Sequence, residues 1–135
     1  MVSANILNGT IFESEFAVEV LRRGFVPQHP LTPMPWDFIV DCPAGLLKVQ
    51  VKGTINPSDD GTSYKVMTSS GRSNSKKAIG AEVDVIACWI DVKRVWYIIP
   101  TSARVAKCVR LAANNKRTTS KYEKYRDNWS PFFNH

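Results

Sequence analysis

Two seven-residue runs joined by a proline-glycine turn constrain this chain more than any other feature. Pro35-Trp36-Asp37-Phe38-Ile39-Val40-Asp41 and Leu46-Leu47-Lys48-Val49-Gln50-Val51-Lys52 both alternate apolar and polar side chains, as half-buried strands do. Between them, Cys42-Pro43-Ala44-Gly45 puts proline and glycine at the second and fourth positions of a type I turn. With Pro43 and Ala44 as the loop, Asp37 stands opposite Gln50, and Phe38 opposite Val49. Trp36, Phe38, Val40, Leu47, Val49 and Val51 then share one face and belong in a core. Asp37, Gln50 and Lys52 share the other, next to Ile39 and Lys48. A slip of one residue scatters both sets, so the apolar pattern fixes the polar cluster.

At 135 residues the chain has the size of one domain with its own core. Its 44% hydrophobic and 22% charged residues are those of an ordinary soluble globular chain. No apolar stretch reaches membrane-spanning length and no basic-then-apolar leader is present, so no membrane partner is expected. Cys42, Cys88 and Cys108 are odd in number and lack metal-type spacing, which suits a reduced, cytoplasmic chain. The net charge of +6 is uneven: only Arg22, Arg23, Lys48 and Lys52 of the 18 basic residues precede residue 63. A polyanion such as DNA or RNA fits that asymmetry, and solubility alone is the competing account.

Phe12, Phe16, Ala17, Val20 and Leu21 recur at helical spacing and predict a helix over 10–23, stopped by Gly24. Glu13 borders this stripe, and Glu19 lies within reach of Arg22 or Arg23. Pro27, Pro30, Pro33 and Pro35 predict an irregular connector. Residues 56–61 read as a loop, 63–68 as a strand, and 69–77 as a basic loop entering a short helix near Ala78. Residues 84–90 are apolar on both faces, as in a central strand. A turn at 91–94 leads to a strand over 95–99, stopped by Pro100. Residues 101–113 and 121–129 read as helices. This order predicts a mixed α/β fold around one sheet, without internal repeats or linkers.

Mg²⁺ takes oxygen ligands, often one or two carboxylates with waters and substrate phosphate oxygens. Asp37 and the side-chain oxygen of Gln50 can supply such a site, with Glu13 binding directly or through a neighbour. Lys52 projects from the same face, where an ammonium can hold an attacking water and stabilise charge on a scissile phosphate. Plainer readings stand beside these. Thr10-Ile11-Phe12-Glu13 has the pattern of a capping box; Asp37, Gln50 and Lys52 can be the solvated face of a hairpin. Asp41 and Lys48 fit that solvated face, and neither His29 nor His135 is given a role. Arg72, Lys76 and Lys77 lie in a Gly/Ser-containing loop suited to DNA phosphates. Arg104, Lys107 and Arg110 recur at helical spacing and can follow a DNA backbone or face water. Tyr122, Tyr125 and Trp129 read as a packing stripe.

The array Glu13, Gly24-Phe25, Asp37, Gln50-Val51-Lys52 resembles the small PD-(D/E)XK nucleases. Their pattern is a helical Glu, a Gly-Phe ending that helix, an Asp, then Glu or Gln, any residue, and Lys. Two branches are most similar: the archaeal-type Holliday junction resolvases and the homing endonucleases of cyanobacterial group I introns, where Gln in place of the second acid is tolerated. The likeness is specific over residues 9–52. It is looser through Trp96-Tyr97-Ile98-Ile99-Pro100 and the tail at 121–129. It implies one nuclease domain over 1–135, with a restriction-endonuclease-like core of mixed sheet flanked by helices. It carries over Glu13, Asp37, Gln50 and Lys52 as catalytic residues, with Mg²⁺ on Asp37, Gln50 and Glu13. Double-stranded or branched DNA is the implied partner, and a homodimer or homotetramer the implied assembly. Two departures stand out: Gln50 removes a charge from the metal site, and Trp36 separates Pro35 from Asp37.

The function expected from residues and resemblance together is Mg²⁺-dependent DNA cleavage, as a homing-type enzyme making site-specific double-strand cuts. Gln50 and the aromatic-basic tail point that way, and a phage or mobile-element gene is compatible with it. A Holliday junction resolvase is the alternative, favoured by short length and the close spacing match over the first 52 residues. A catalytically weak or dead DNA-binding protein on the same scaffold is a third.

Overall fold

The computed structural model describes residues 2–57, 61–70, 77–78, 82–103, 105–113 and 121–134. Helix α1 (Ala4–Arg22) begins six residues before the start that the apolar stripe predicts. Ser3 caps it, its hydroxyl accepting from the Ile6 N–H at 3.3 Å. The capping-box reading of Glu13 therefore falls. Thr10 lies well inside the helix and donates its hydroxyl to the Ile6 carbonyl. Gly24, at φ 86°, ends the helix in the left-handed conformation that glycine adopts without strain. Phe12, Phe16 and Val20 are its buried face, and Glu19 pairs with Arg23 at 3.1 Å. No described helix is long and apolar enough to cross a membrane.

Strand β1 (Val26–Gln28) occupies part of the expected connector. It is followed by β2 (Phe38–Cys42) and β3 (Gly45–Thr54), which form the anticipated hairpin, Phe38 opposite Val49 and Cys42 opposite Gly45. The later strands are β4 (Tyr64–Met67), β5 (Ser69–Ser70), β6 (Lys77–Ala78), β7 (Val85–Ile90), β8 (Val95–Pro100) and β9 (Cys108–Leu111). The main sheet has the order β1-β2-β3-β7-β8. β3 and β7 run parallel and the other neighbours antiparallel, so the sheet is mixed as expected.

Four elements differ from the sequence reading. β4 lies where a strand was expected but joins β9 in a separate two-stranded ribbon. The short helix near Ala78 is instead β6, paired with β5. The helix over 101–113 is a single 3₁₀ turn (Thr101–Ala103) followed by β9. Val109 and Leu111 sit two apart and bury against the sheet, so tertiary burial overrides the helical spacing of Arg104, Lys107 and Arg110; Arg104 itself lies outside the described residues. The tail forms two 3₁₀ turns, Glu123–Tyr125 and Ser130–Phe132, because Arg126 leaves the helical path to bridge Tyr97 of β8.

Each face of the sheet carries its own cluster. Phe12, Phe16 and Val20 of α1 meet Phe38, Val40, Leu47, Val49, Val51, Trp129 and Phe132 on one side. On the other, Tyr64, Val66, Val109 and Leu111 of the ribbon cover Ile86, Cys88, Ile90, Tyr97 and Ile99. Trp36 departs from the alternation that grouped it with Phe38. It precedes β2 and packs on the second cluster, with Lys48 Nζ 4.4 Å from its ring centre. Tyr122 and Trp129 are both buried, but in different clusters.

Both edge strands of the main sheet are blunted. β1 is three residues long with Pro27 at its centre. Along β8, the isolated bridge from Arg126 to Tyr97 and the Asp127 N–H on the Trp96 carbonyl cover the outer side. Tyr97 anchors this cover: its hydroxyl donates to Glu123 Oε2 and accepts from the Ala113 N–H, both at 2.9 Å, and from Arg126 Nε. Tyr97→Phe strands those donors in the interior and is expected to cost about 3 kcal/mol in a urea titration.

Candidate active site

The hairpin, α1 and β4 meet at a cleft of about 630 Å³, whose lining includes Glu13, Asp37, Gln50, Lys52, Gly53 and Met67. Asp37 immediately precedes β2, at the point where β3 continues without a partner on that side. Its N–H donates to the Val49 carbonyl at 2.9 Å, extending the ladder one step. Its carboxylate then takes over from backbone, Oδ2 accepting from the Val51 N–H at 2.8 Å and from Gln50 Nε2 at 3.0 Å. Asp37 is thus held by the two residues that precede Lys52. Alternation along β3 sends Gln50 and Lys52 to the face opposite Val49 and Val51, while α1 supplies Glu13 from the position after Phe12.

The charges in the cleft oppose one another. Burial holds the Asp37 carboxyl above its usual range; the Val51 N–H, Lys52 and His29 pull it back only in part. Glu13 is also raised, first by burial and then by Asp37, with His29 acting the other way. Burial thus raises the proton affinity of both half-buried carboxylates, and Asp37 adds to the rise at Glu13. Among the described residues, no three His, Cys, Asp or Glu side chains form a metal-binding group. A cation placed here would have the Asp37 and Glu13 carboxylates and the Gln50 amide oxygen lining its cleft, a donor set that fits the few carboxylates Mg²⁺ takes alongside water and phosphate. Cys88, the β7 partner of Lys52, is fully buried and its thiol is pushed up to about 12, so it brings no competing anion to Lys52.

Two residues near the cleft carried no signal in sequence. His29 Nδ1 lies 3.2 Å from the Asp37 carbonyl oxygen, and its ring lies 4.4 Å from that of Phe38. Eight residues separate His29 from Asp37, and only the pairing of β1 with β2 brings them together. Gly53 follows Lys52, and a Cβ there would meet the Phe12 ring at 2.7 to 2.9 Å. Phe12 adjoins Glu13, so the missing side chain lets α1 sit low over β3. Gly53→Ala is expected to lose about 1–3 kcal/mol in thermal or chemical melts through overpacking, and to displace Glu13. Of the expected DNA contacts, Arg72 and Lys76 lie outside the described residues. Lys77 begins β6.

A profile of the PD-(D/E)XK endonuclease family matches residues 6–132. The fold is similar to that of a bacterial homing endonuclease, I-Ssp6803I, with a TM-score of 0.80 and 23% sequence identity over 98% of this chain and 93% of that one. No curated protein matches the chain in sequence.

Proposed function

Because the chain belongs to the PD-(D/E)XK endonuclease family, we propose that it is a Mg²⁺-dependent DNA endonuclease of the homing type, making site-specific double-strand cuts. The observation that carries this reading is the cleft itself, where two carboxylates with raised proton affinity stand beside Gln50 and Lys52. The likeness in fold to a bacterial homing endonuclease supports the homing role over junction resolution.

In this reading Asp37, Gln50 Oε1 and Glu13 hold the Mg²⁺, which when bound acts as a Lewis acid toward the scissile phosphate. Val51 N–H and Gln50 Nε2 fix Asp37 Oδ2 and so orient the carboxylate. Lys52 positions the attacking water and stabilises the charge that builds on the phosphate. Gln50 lowers the charge of the site relative to an acid, so tight metal binding awaits the DNA phosphate. Arg72, Lys76 and Lys77 contact the DNA backbone. Cutting both strands needs two such clefts, hence a homodimer or homotetramer acting on cytoplasmic DNA.

The test is incubation with Mg²⁺ and two labelled DNAs, an immobile four-way junction and a long heterologous duplex carrying many candidate sites. Discrete cuts in the duplex, with the junction intact, are the expected result. Symmetric nicking of the junction alone points to a resolvase. If a cleavage screen of a genomic library also yields no products while the protein still binds duplex, the scaffold binds DNA without cutting it.

A further inference from the structure

Two glycines, Gly9 and Gly53, line the same cleft under opposite conditions. A Cβ on Gly53 would run into the Phe12 ring, whereas a Cβ on Gly9 meets nothing within 4 Å. Gly24, Gly45 and Gly61 have positive φ, and Gly9 does not. Among the described glycines, Gly9 alone has neither a steric nor a conformational reason within the fold. It lies inside α1, past the first turn, where glycine loses more backbone freedom on folding than alanine does. Folding alone therefore favours alanine at this position.

The place of Gly9 on the helix indicates what the bare backbone serves. Asn5, Gly9 and Glu13 follow one another at intervals of four, form one ridge of α1, and all line the cleft. Each step along that ridge is about 6 Å, less than two nucleotide rises of about 3.4 Å on one DNA strand. A strand that runs along the ridge from Glu13 thus passes Gly9 within two nucleotides. Residues 4–12 carry no charged side chain, so this wall does not repel phosphate. Asn5 and Asn8, which also line the cleft, bring amide donors of the kind that bind DNA phosphates. A missing side chain between them lets a ligand backbone approach the helix closely.

Taking the chain as a DNA endonuclease, we propose that Gly9 is a positioning residue: the strand to be cut lies against the bare backbone of α1 at Gly9, within two nucleotides of the phosphate at Glu13. Asn5 and Asn8 donate to phosphates of the same strand.

The experiment compares wild type with Gly9→Ala, Gly9→Leu and Ser14→Ala, the last exposed on α1 and outside the cleft lining. Thermal melts are set beside binding to a 40-base-pair heterologous duplex, with Ca²⁺ in place of Mg²⁺ so that the DNA is held and not cut. Gly9→Ala should melt about 2–6 °C above wild type, since it gains helix propensity and its Cβ enters open space. It should nevertheless bind the duplex about fivefold more weakly, and Gly9→Leu about a hundredfold, the range expected when a filled contact is overpacked. Ser14→Ala should bind as wild type does. Millimolar Mg²⁺ without DNA should shift the melting temperature of Gly9→Ala as it shifts that of wild type, because the contact is with the strand and not with the metal. Wild-type affinity in Gly9→Leu would overturn the proposal. So would Gly9→Ala melting below wild type, which would reveal a structural need for the glycine, or a Mg²⁺ response changed in Gly9→Ala alone. Wild type failing to bind the duplex at 50 mM salt would instead remove the DNA reading itself, and the role of Gly9 with it.

Discussion

Lys52→Ala is expected to lower DNA cleavage about 10³-fold, the size of effect seen when one positioned donor to a developing oxyanion is removed. Duplex affinity should change little, since one lysine among the many basic residues contributes a small share of phosphate contacts. Lys52 is also one of the groups that hold the Asp37 carboxyl down. Its removal should therefore shift the acid limb of the residual activity to higher pH. Lys52→Arg should not restore the rate, because a planar fork does not replace a compact ammonium at one water. Single-turnover cleavage across pH 5 to 9 checks each point, and a wild-type rate for Lys52→Ala removes the lysine from the mechanism.

Asp37→Asn should have a comparable effect on rate while raising stability at neutral pH. Loss of its charge at the metal site is worth several kcal/mol of transition-state stabilisation, or about 10³-fold. The substituted amide retains an oxygen for the Val51 N–H, so the local fold survives. The folded Asp37 carboxyl has a raised pKa, so its contribution to stability is present below its unfolded pKa and is lost as pH rises through the folded value. Glu13, raised in part by Asp37, adds a loss of the same sign. At neutral pH the variant should accordingly melt above wild type, with the gap closing as the pH falls toward 4. Millimolar Mg²⁺ should raise the melting temperature of wild type, by linkage to the folded state, and leave Asp37→Asn unchanged. Thermal melts over pH and Mg²⁺ concentration test this. A variant less stable than wild type at pH 7 would show that Asp37 is a structural anchor first.

The hairpin was legible because period-two alternation over both runs admits one register, and that register brings Asp37 to Gln50 through a hydrogen bond present in the structure. The helix face was legible for the same reason, its period being set by Phe12, Phe16 and Val20. Its start was not: Ile6, Leu7 and Ile11 are exposed, so burial gave no periodic signal for the first two turns, and only Ser3 marked the cap. Residues 101–113 misled because Arg104, Lys107 and Arg110 imitate a helical face, while Val109 and Leu111 obey the sheet they cover. Gly53 and His29 were silent because their roles depend on neighbours far away in sequence, a phenylalanine ring above one and a strand pairing beside the other.

The blunted edge strands of the main sheet bear on how copies of this protein meet. A free strand edge offers a row of unpaired amides and carbonyls that a second chain can extend, a ready route from a folded sheet to aggregates. Here one edge is three residues interrupted by proline, and the other is covered by the chain's own tail. Copies are thereby steered away from fusing backbone to backbone. Contacts between copies along these two strands are left to side chains, which can be specific where a strand edge is indiscriminate.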